Sequence, residues 1–211
     1  MDLPAQDFYA FFDYVKYQQP IKGEEIFFSN FDDGTLQGWG TRDYSGITTE
    51  RPHSGSYSIK VNDIVAGGDM AECYRIFDPV ERGTAEFWMY VPSGNNAENG
   101  ISLADQSSWH KYPNHRFYIS VSHDGSLRYY HNGQYHDFPT PASISFNTWN
   151  KIKIVWDSSA NQMQLYINGL DKGKANNWNA GGAISQLIFQ SGCWGCVGIY
   201  AYFDDVKVTR Q

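Results

Sequence analysis

Arginine and aromatic side chains recur two apart in the middle of this chain, and that spacing is its first hint of chemistry. Arg116 stands beside Tyr118 and Arg128 beside Tyr130 in this sense. Residues two apart on a strand share a face, so each pair sets a flat ring next to a fork of N–H donors. Trp109, Tyr112 and His115 crowd the segment around Arg116, while Trp178 and Trp194 fall in stretches rich in glycine and asparagine. Sugar rings carry patches of C–H that stack on aromatic faces. Their hydroxyls need fixed hydrogen-bonding partners such as Arg, Asn and Gln. A large ring left on a wet face is otherwise costly. The candidate carbohydrate-binding residues are therefore Trp109, Arg116, Tyr118, Arg128, Tyr130, Trp178 and Trp194.

Other reactive residue types point less far. Retaining glycoside hydrolysis needs two carboxyl groups about 5–5.5 Å apart, and the candidate strand Thr84–Val91 offers only Glu86. No catalytic residue is assigned. Six histidines occur without an H-E-x-x-H or other tight metal-binding spacing, so no zinc site is read. Cys193 and Cys196 have the spacing of a redox motif, but the βαβ context of such motifs is missing. A local disulfide around Trp194 and two free thiols both remain open, and Cys73 is expected in the core.

These side chains must be positioned by strands. From Glu24 onward apolar residues alternate with polar ones, and glycine and asparagine interrupt at short intervals. The pattern predicts strands at Glu25–Phe31, Ser56–Asn62, Ala71–Asp78, Thr84–Val91, Ile101–Asp105 and Arg116–Ser122. Further strands are predicted at Leu127–Asn132, Gln134–Phe138, Asn150–Asp157, Met163–Asn168, Ser185–Gln190 and Ile199–Thr209. Asp124-Gly125, Asn132-Gly133 and Asn168-Gly169 are dipeptides that close hairpins. The alternation assigns faces: Phe117, Ile119 and Val121 oppose Arg116, Tyr118 and Ser120, and Ile152, Ile154 and Trp156 oppose Lys151 and Lys153. One apolar and one wet face per strand make an all-β, two-sheet antiparallel sandwich. Trp39, Trp88, Trp149 and Trp156 are assigned to its core. Residues 1–22 differ, because Phe8, Phe11, Phe12 and Val15 have helical spacing. They read as a linker or short helical extension before a sandwich domain at 23–211.

Composition narrows the partners. The 211 residues suit one large domain, and 16 basic against 23 acidic residues give a net charge of −7, which argues against nucleic acid. No apolar run reaches the roughly 18 residues of a membrane span. No signal peptide is visible at Met1, so the chain is read either as intracellular or as a piece of a larger protein.

Several segments together resemble the concanavalin A-like jelly roll shared by laminin-G-like domains and carbohydrate-binding modules. Phe31-Asp32-Asp33-Gly34 with Gly38-Trp39 resembles the first strand and loop of such modules, and His53 to Val61 their second-strand signature. Gly83 to Trp88 is similar to the central strand. Trp149 to Ile154 followed by Leu165 to Gly169 resembles the characteristic hairpin, and Tyr202 to Val208 the closing strand.

Asp204 shares the parity of Val206 and Val208, which turns a carboxylate toward the core side. Such a group must be neutralised, hydrogen-bonded or paired with a cation, and calcium takes six to eight oxygens. The resemblance implies a structural calcium, with Asp32 and Asp204 as ligands and a backbone carbonyl near Gly55 helping. The alternative at this point is that both aspartates cap turns or accept backbone N–H groups.

The resemblance implies a non-catalytic carbohydrate-binding module that holds a larger extracellular polysaccharide-acting protein on its polymer. Lyases of the same architecture use a Tyr or His base with Arg neutralising a uronate. Tyr130 or His131 with Arg116 and Arg128 is the runner-up reading, and a laminin-G-like adhesion domain is a third.

Overall fold

Short runs with apolar residues at every second position, separated by tight turns, favour antiparallel pairing over any other arrangement. The structure is a computed structural model that describes residues 23–64, 70–94, 98–105, 115–192 and 196–211. Those residues contain no helix and form two antiparallel sheets. The first sheet runs β13 (Leu170–Asn176), β12 (Gln162–Ile167), β11 (Trp149–Asp157), β6 (Arg82–Tyr90), β15 (Ile199–Arg210), β4 (Ser58–Asp63) and β3 (Gly46–Thr48). In the same sheet β1 (Glu24–Ser29) also pairs with β15. The second sheet runs β10 (Gln134–Asp137), β9 (Leu127–His131), β8 (His115–Val121), β7 (Asn99–Ala104), β14 (Ile184–Ser191), β5 (Ala71–Val80) and β2 (Gly40–Arg42). The expected all-β sandwich is thus what forms. The extension expected at residues 1–22 lies outside the described residues.

Three strands were not expected from the sequence, namely β2, β3 and β13. Each lies at a sheet edge. Only Ala175 is buried along β13, and Lys172 and Lys174 lie beside it. Such an edge carries almost no alternation to read, and its charges guard it against further pairing.

Rings from both sheets meet in the core. Phe189 of β14 and Phe203 of β15 stack face to face at 3.9 Å with 4° between their planes. Phe87 of β6 tilts against Phe189 at 4.8 Å, and Trp39 stacks on it at 5.2 Å. Trp39 and Trp156 are buried as expected, as is the free thiol Cys73, whose pKa burial raises. Trp88 and Trp149 correct their assignment. Both are half-buried on the outer face of the first sheet, where His53 stacks on Trp88 at 3.9 Å and meets Trp149 edge-on at 5.5 Å. Trp88 alternates with Phe87 and Met89, which point inward, so its ring has to face out.

Replacing Phe189 by alanine is expected to cost about 3–5 kcal/mol, as for other large-to-small core changes. Tyr44→Ala, at a side chain 64% exposed, is expected to change stability by less than about 0.5 kcal/mol. Urea denaturation midpoints of the two variants check the contrast.

Candidate functional site

The second sheet turns one set of alternate residues into the core and the other away from it. Ile101, Leu103, Phe117, Ile119, Leu187 and Phe189 belong to the core, so their strand neighbours form the outer face. That face is nevertheless withdrawn from solvent. Ser102 and Ser120 are fully buried, and Glu72, Gln186, Ile188, Gln190 and Tyr118 are nearly so. This withdrawn outer face is termed the recess.

Strand register arranges the recess in two rows. In the polar row Glu72 lies opposite Gln190, Gln190 opposite Gly100, Gly100 opposite Ser120, and Ser120 opposite Arg128. In the neighbouring row Tyr74 lies opposite Ile188, Ile188 opposite Ser102, and Ser102 opposite Tyr118. Gly100 keeps the floor low. A Cβ there would stand 2.7 Å from the Tyr118 hydroxyl and 3.0 Å from Gln190 Oε1, so both side chains lean over the glycine. The Gln190 amide donates to Glu72 Oε1 at 2.7 Å. Ser120 Oγ, Gln190 Oε1 and Arg128 Nε are buried and meet no hydrogen-bond partner within the protein.

The loop after β13 completes the aromatic side. The Trp178 backbone N–H donates to the Arg116 carbonyl at 2.7 Å, and the Asn179 amide donates to the His115 carbonyl at 3.0 Å. Arg116 donates to the Ala180 carbonyl at 2.8 Å and pairs with Asp105 through its other terminal nitrogen. The loop is thereby clipped along β8, and Trp178 contacts Tyr118 at 5.8 Å and Tyr130 at 4.6 Å. Tyr130 in turn meets Tyr135 edge-on at 5.0 Å. The Arg128 guanidinium lies over the Tyr135 ring at 5.0 Å, and Tyr135 donates its hydroxyl to Glu98 at 2.9 Å. Burial, reinforced by the Glu98 charge, raises the Tyr135 pKa and keeps the phenol a donor.

The sequence-predicted residues divide accordingly. Tyr118, Tyr130, Trp178 and Arg128 come together on one face, as expected. Arg116 joins them in the fold, but its terminal nitrogens are engaged by Asp105 and Ala180, so it braces the loop carrying Trp178. Trp109 and Trp194 lie outside the described residues, as does Cys193. Cys196 is disulfide-bonded. His131 does not join the site, because it shares the side of Leu127 and Tyr129, opposite Tyr130, and its Nδ1 is 2.6 Å from the Asn177 carbonyl. Glu86 lies on the other sheet, 3.4 Å from Lys153. Glu72, Gln190, Ser120 and Glu98 were not among the candidates. The signal for Glu72, Gln190 and Ser120 was the polar half of the alternation in β5, β14 and β8, whereas Glu98 precedes β7.

The second predicted constellation sits on the first sheet, where the structure changes its logic. Asp204 is fully buried, as expected, but not in the core. It lies opposite Trp88, while Lys207 lies opposite Glu86, so β15 carries one residue more than β6 between the two pairs. Asp205, at φ 49°, is that bulge. Ala201 and Phe203 point inward before it, Val206 and Val208 after it, and Asp204 faces out beneath the 53–56 loop. Its carboxylate accepts N–H bonds from His53 (2.8 Å), Ser54 (3.2 Å) and Asp205 (2.8 Å). Burial pushes the Asp204 carboxyl up to about 6, against the pull of those three donors. Asp205 takes His53 Nδ1 at 2.7 Å and the Ser54 hydroxyl at 2.9 Å. Asp32 accepts the Ser56 N–H at 3.0 Å, and its carboxylate occupies the space a Cβ at Gly55 would need. These oxygens are met by donors. Among the described residues no group of three or more His, Cys, Asp and Glu side chains is arranged to hold a metal ion. Three backbone N–H groups thus already meet the buried Asp204 carboxylate.

The sequence profile of the concanavalin A-like lectin/glucanase superfamily matches residues 68–210, which carry every strand from β5 to β15. The chain belongs to this superfamily. No curated protein sequence matches it significantly. Among solved structures, a sialidase is similar at 12% identity and a TM-score of 0.69, over 90% of this chain but only 19% of that one. The cellulose induced protein Cip1 is similar at 12% identity and a TM-score of 0.67, over 88% of this chain and 97% of that one. Domain 4 of AbnA, an extracellular arabinanase of Geobacillus stearothermophilus solved with arabinotriose, is similar at 12% identity and a TM-score of 0.56, over 89% and 93% of the two chains. At such identities these likenesses establish the superfamily's sandwich and nothing finer.

Removing the Asp204 carboxylate strips the acceptor from three backbone donors. Asp204→Ala is expected to cost about 3 kcal/mol, the upper range for leaving buried donors unpaired. A shift of the urea denaturation midpoint by that amount checks it.

Proposed function

We propose that the recessed outer face of the second sheet binds a carbohydrate chain, and that the domain holds a larger polysaccharide-acting protein on its polymer. One observation carries the reading. Ser120 Oγ, Gln190 Oε1 and Arg128 Nε are buried without partners in one row of the sheet, beside the rings of Tyr118, Tyr130 and Trp178. Each unsatisfied buried group costs about 1–3 kcal/mol. Sugar hydroxyls, which both donate and accept, are suited to that row, while the ring faces stack on the aromatics. Several similar structures are carbohydrate-binding or carbohydrate-cleaving by their names, among them the arabinanase domain and a Bacillus licheniformis β-glucanase. The extracellular setting follows from the same likeness and is part of the proposal. Tethering would raise the local concentration of an attached catalytic unit on its substrate.

Of the lyase alternative's parts, Tyr130 and Arg128 stay on this face and the other two do not. His131 faces away from Tyr130, and Arg116 is tied to Asp105. The calcium implied by the resemblance stands as a separate proposal for the Asp32, Gly55 and Asp204 corner. Adding calcium to chelator-treated protein tests it, since a bound ion raises the melting temperature by linkage. An unchanged melting temperature leaves the N–H donors as the only anchor there.

Affinity electrophoresis in polysaccharide gels tests the site. Tyr118→Ala and Gly100→Ala are each expected to weaken binding about tenfold, equivalent to about 1.4 kcal/mol. Gly100→Ala does so by pushing the Tyr118 hydroxyl and the Gln190 amide off the floor. Unfolding curves must stay cooperative in both variants. Retardation equal to that of the unmodified protein would overturn the assignment.

A further inference from the structure

We infer that a groove on the first sheet, between Tyr44 and Lys60, binds a single sugar unit through two neighbouring hydroxyls. It lies apart from the recess and goes beyond the function proposed above. The groove runs along β3 and β4 at the sheet edge. It holds about 400 Å³, within the range of about 300–1,000 Å³ that small-molecule sites occupy. Ile59 and Val61 of β4 belong to the core, so Lys60 and Asn62 face outward. Gly46 of β3 lies opposite Lys60 and therefore shares its face. A Cβ on Gly46 would meet nothing within 4 Å. The groove is thus open because one strand position carries no side chain. The exposed ring of Tyr44 forms one wall.

The polar groups of the groove are held in advance. Lys60 Nζ donates to Glu50 Oε1 at 3.2 Å and to Oε2 at 2.9 Å, and Tyr202 donates its hydroxyl to Oε2 at 2.6 Å. Burial raises the Tyr202 pKa, reinforced by Glu50, so the phenol stays a donor. The hydrogen bonds from Lys60 and Tyr202 lower the Glu50 pKa, so the acceptor stays ionised. Lys60 Nζ is steadied over the Tyr200 ring at 4.6 Å. A carboxylate has about four acceptor sites. These donors take one on Oε1 and two on Oε2, which leaves one on Oε1. Asn62 lines the same groove, and its backbone N–H donates to Ser45 Oγ at 3.2 Å. Among the described residues its side-chain amide meets no hydrogen-bond partner. An open carboxylate site and an amide that both donates and accepts suit two adjacent hydroxyls, while the Tyr44 ring offers a face to the sugar's C–H groups. Groups fixed before binding lose little freedom when the ligand arrives.

Titrating xylose, arabinose, glucose, galactose and mannose into isotope-labelled protein, followed by amide NMR, tests the inference. At least one of these sugars is expected to shift the Gly46 backbone and Asn62 side-chain resonances saturably. Gly46→Leu fills the open space and is expected to weaken that binding at least about tenfold without lowering the melting temperature. Glu50→Gln, which removes the charged acceptor, is expected to weaken it as much, and decides the matter if Gly46→Leu melts early. Tyr118→Ala, in the recess, is expected to leave this titration unchanged, so the two sites stand or fall separately. Resonances that no sugar moves, or a titration undiminished in Gly46→Leu and Glu50→Gln, would overturn the inference.

Discussion

Everything the recess presents depends on the face-to-face stack of Phe189 on Phe203. It joins β14 of one sheet to β15 of the other through 3.9 Å of ring-to-ring contact, and Phe87 and Trp39 close around Phe189. Every residue of β14 is buried, on both faces. Its inner side is held by that aromatic packing, and its outer side carries Gln186, Ile188 and Gln190 into the floor of the recess. Phe189 and Gln190 are adjacent, so the core contact and the groove amide share one stretch of backbone. A site built this way on a central strand is fixed to within the tolerance of core packing.

Loops then do what strands cannot. A flat ring on a strand can face a ligand but cannot rise above the sheet, whereas Trp178, on the connection after β13, overhangs the edge of β8. Arg116 is the device that holds it there. Its charge is consumed by Asp105 and its second terminal nitrogen by the Ala180 carbonyl, which turns an apparent ligand contact into a positioning brace. On the first sheet Asp204 plays a related part. It gathers the N–H groups of His53 and Ser54 and so draws their loop over Trp88.

The sandwich was legible because alternation is a local signal and survives without knowing any partner. Phe117, Ile119 and Val121 face inward and Tyr118 and Tyr130 outward, as period two requires. The site was legible only where ring type and parity sufficed. The pairing of Arg116 with Asp105 was not legible, because Asp105 lies eleven residues away and nothing local announces it. Gln190 and Glu72 are 118 residues apart and become one hydrogen-bonded pair only through the β5–β14 ladder. Asp204 was placed on the correct side of the solvent boundary for an incomplete reason. A single bulge at Asp205 resets the parity that the sequence argument carried unbroken from Val206, and a bulge has no period to betray it.

Unsatisfied polar atoms do not by themselves make a site, and the structure shows the difference. Ser158 Oγ is also buried without a partner, yet it follows β11 at a turn, with no second such atom beside it in the ladder. Ser120, Gln190 and Arg128 are in register across β8, β14 and β9, with only Gly100 between the first two. Random imperfections of packing have no reason to fall on one line of a ladder. A chain selected for stability alone could fill these outward positions with residues that satisfy one another, as Glu72 and the Gln190 amide already do. In the proposed site the other half of that amide, open next to a glycine that keeps the floor low, is the place left for a partner from outside.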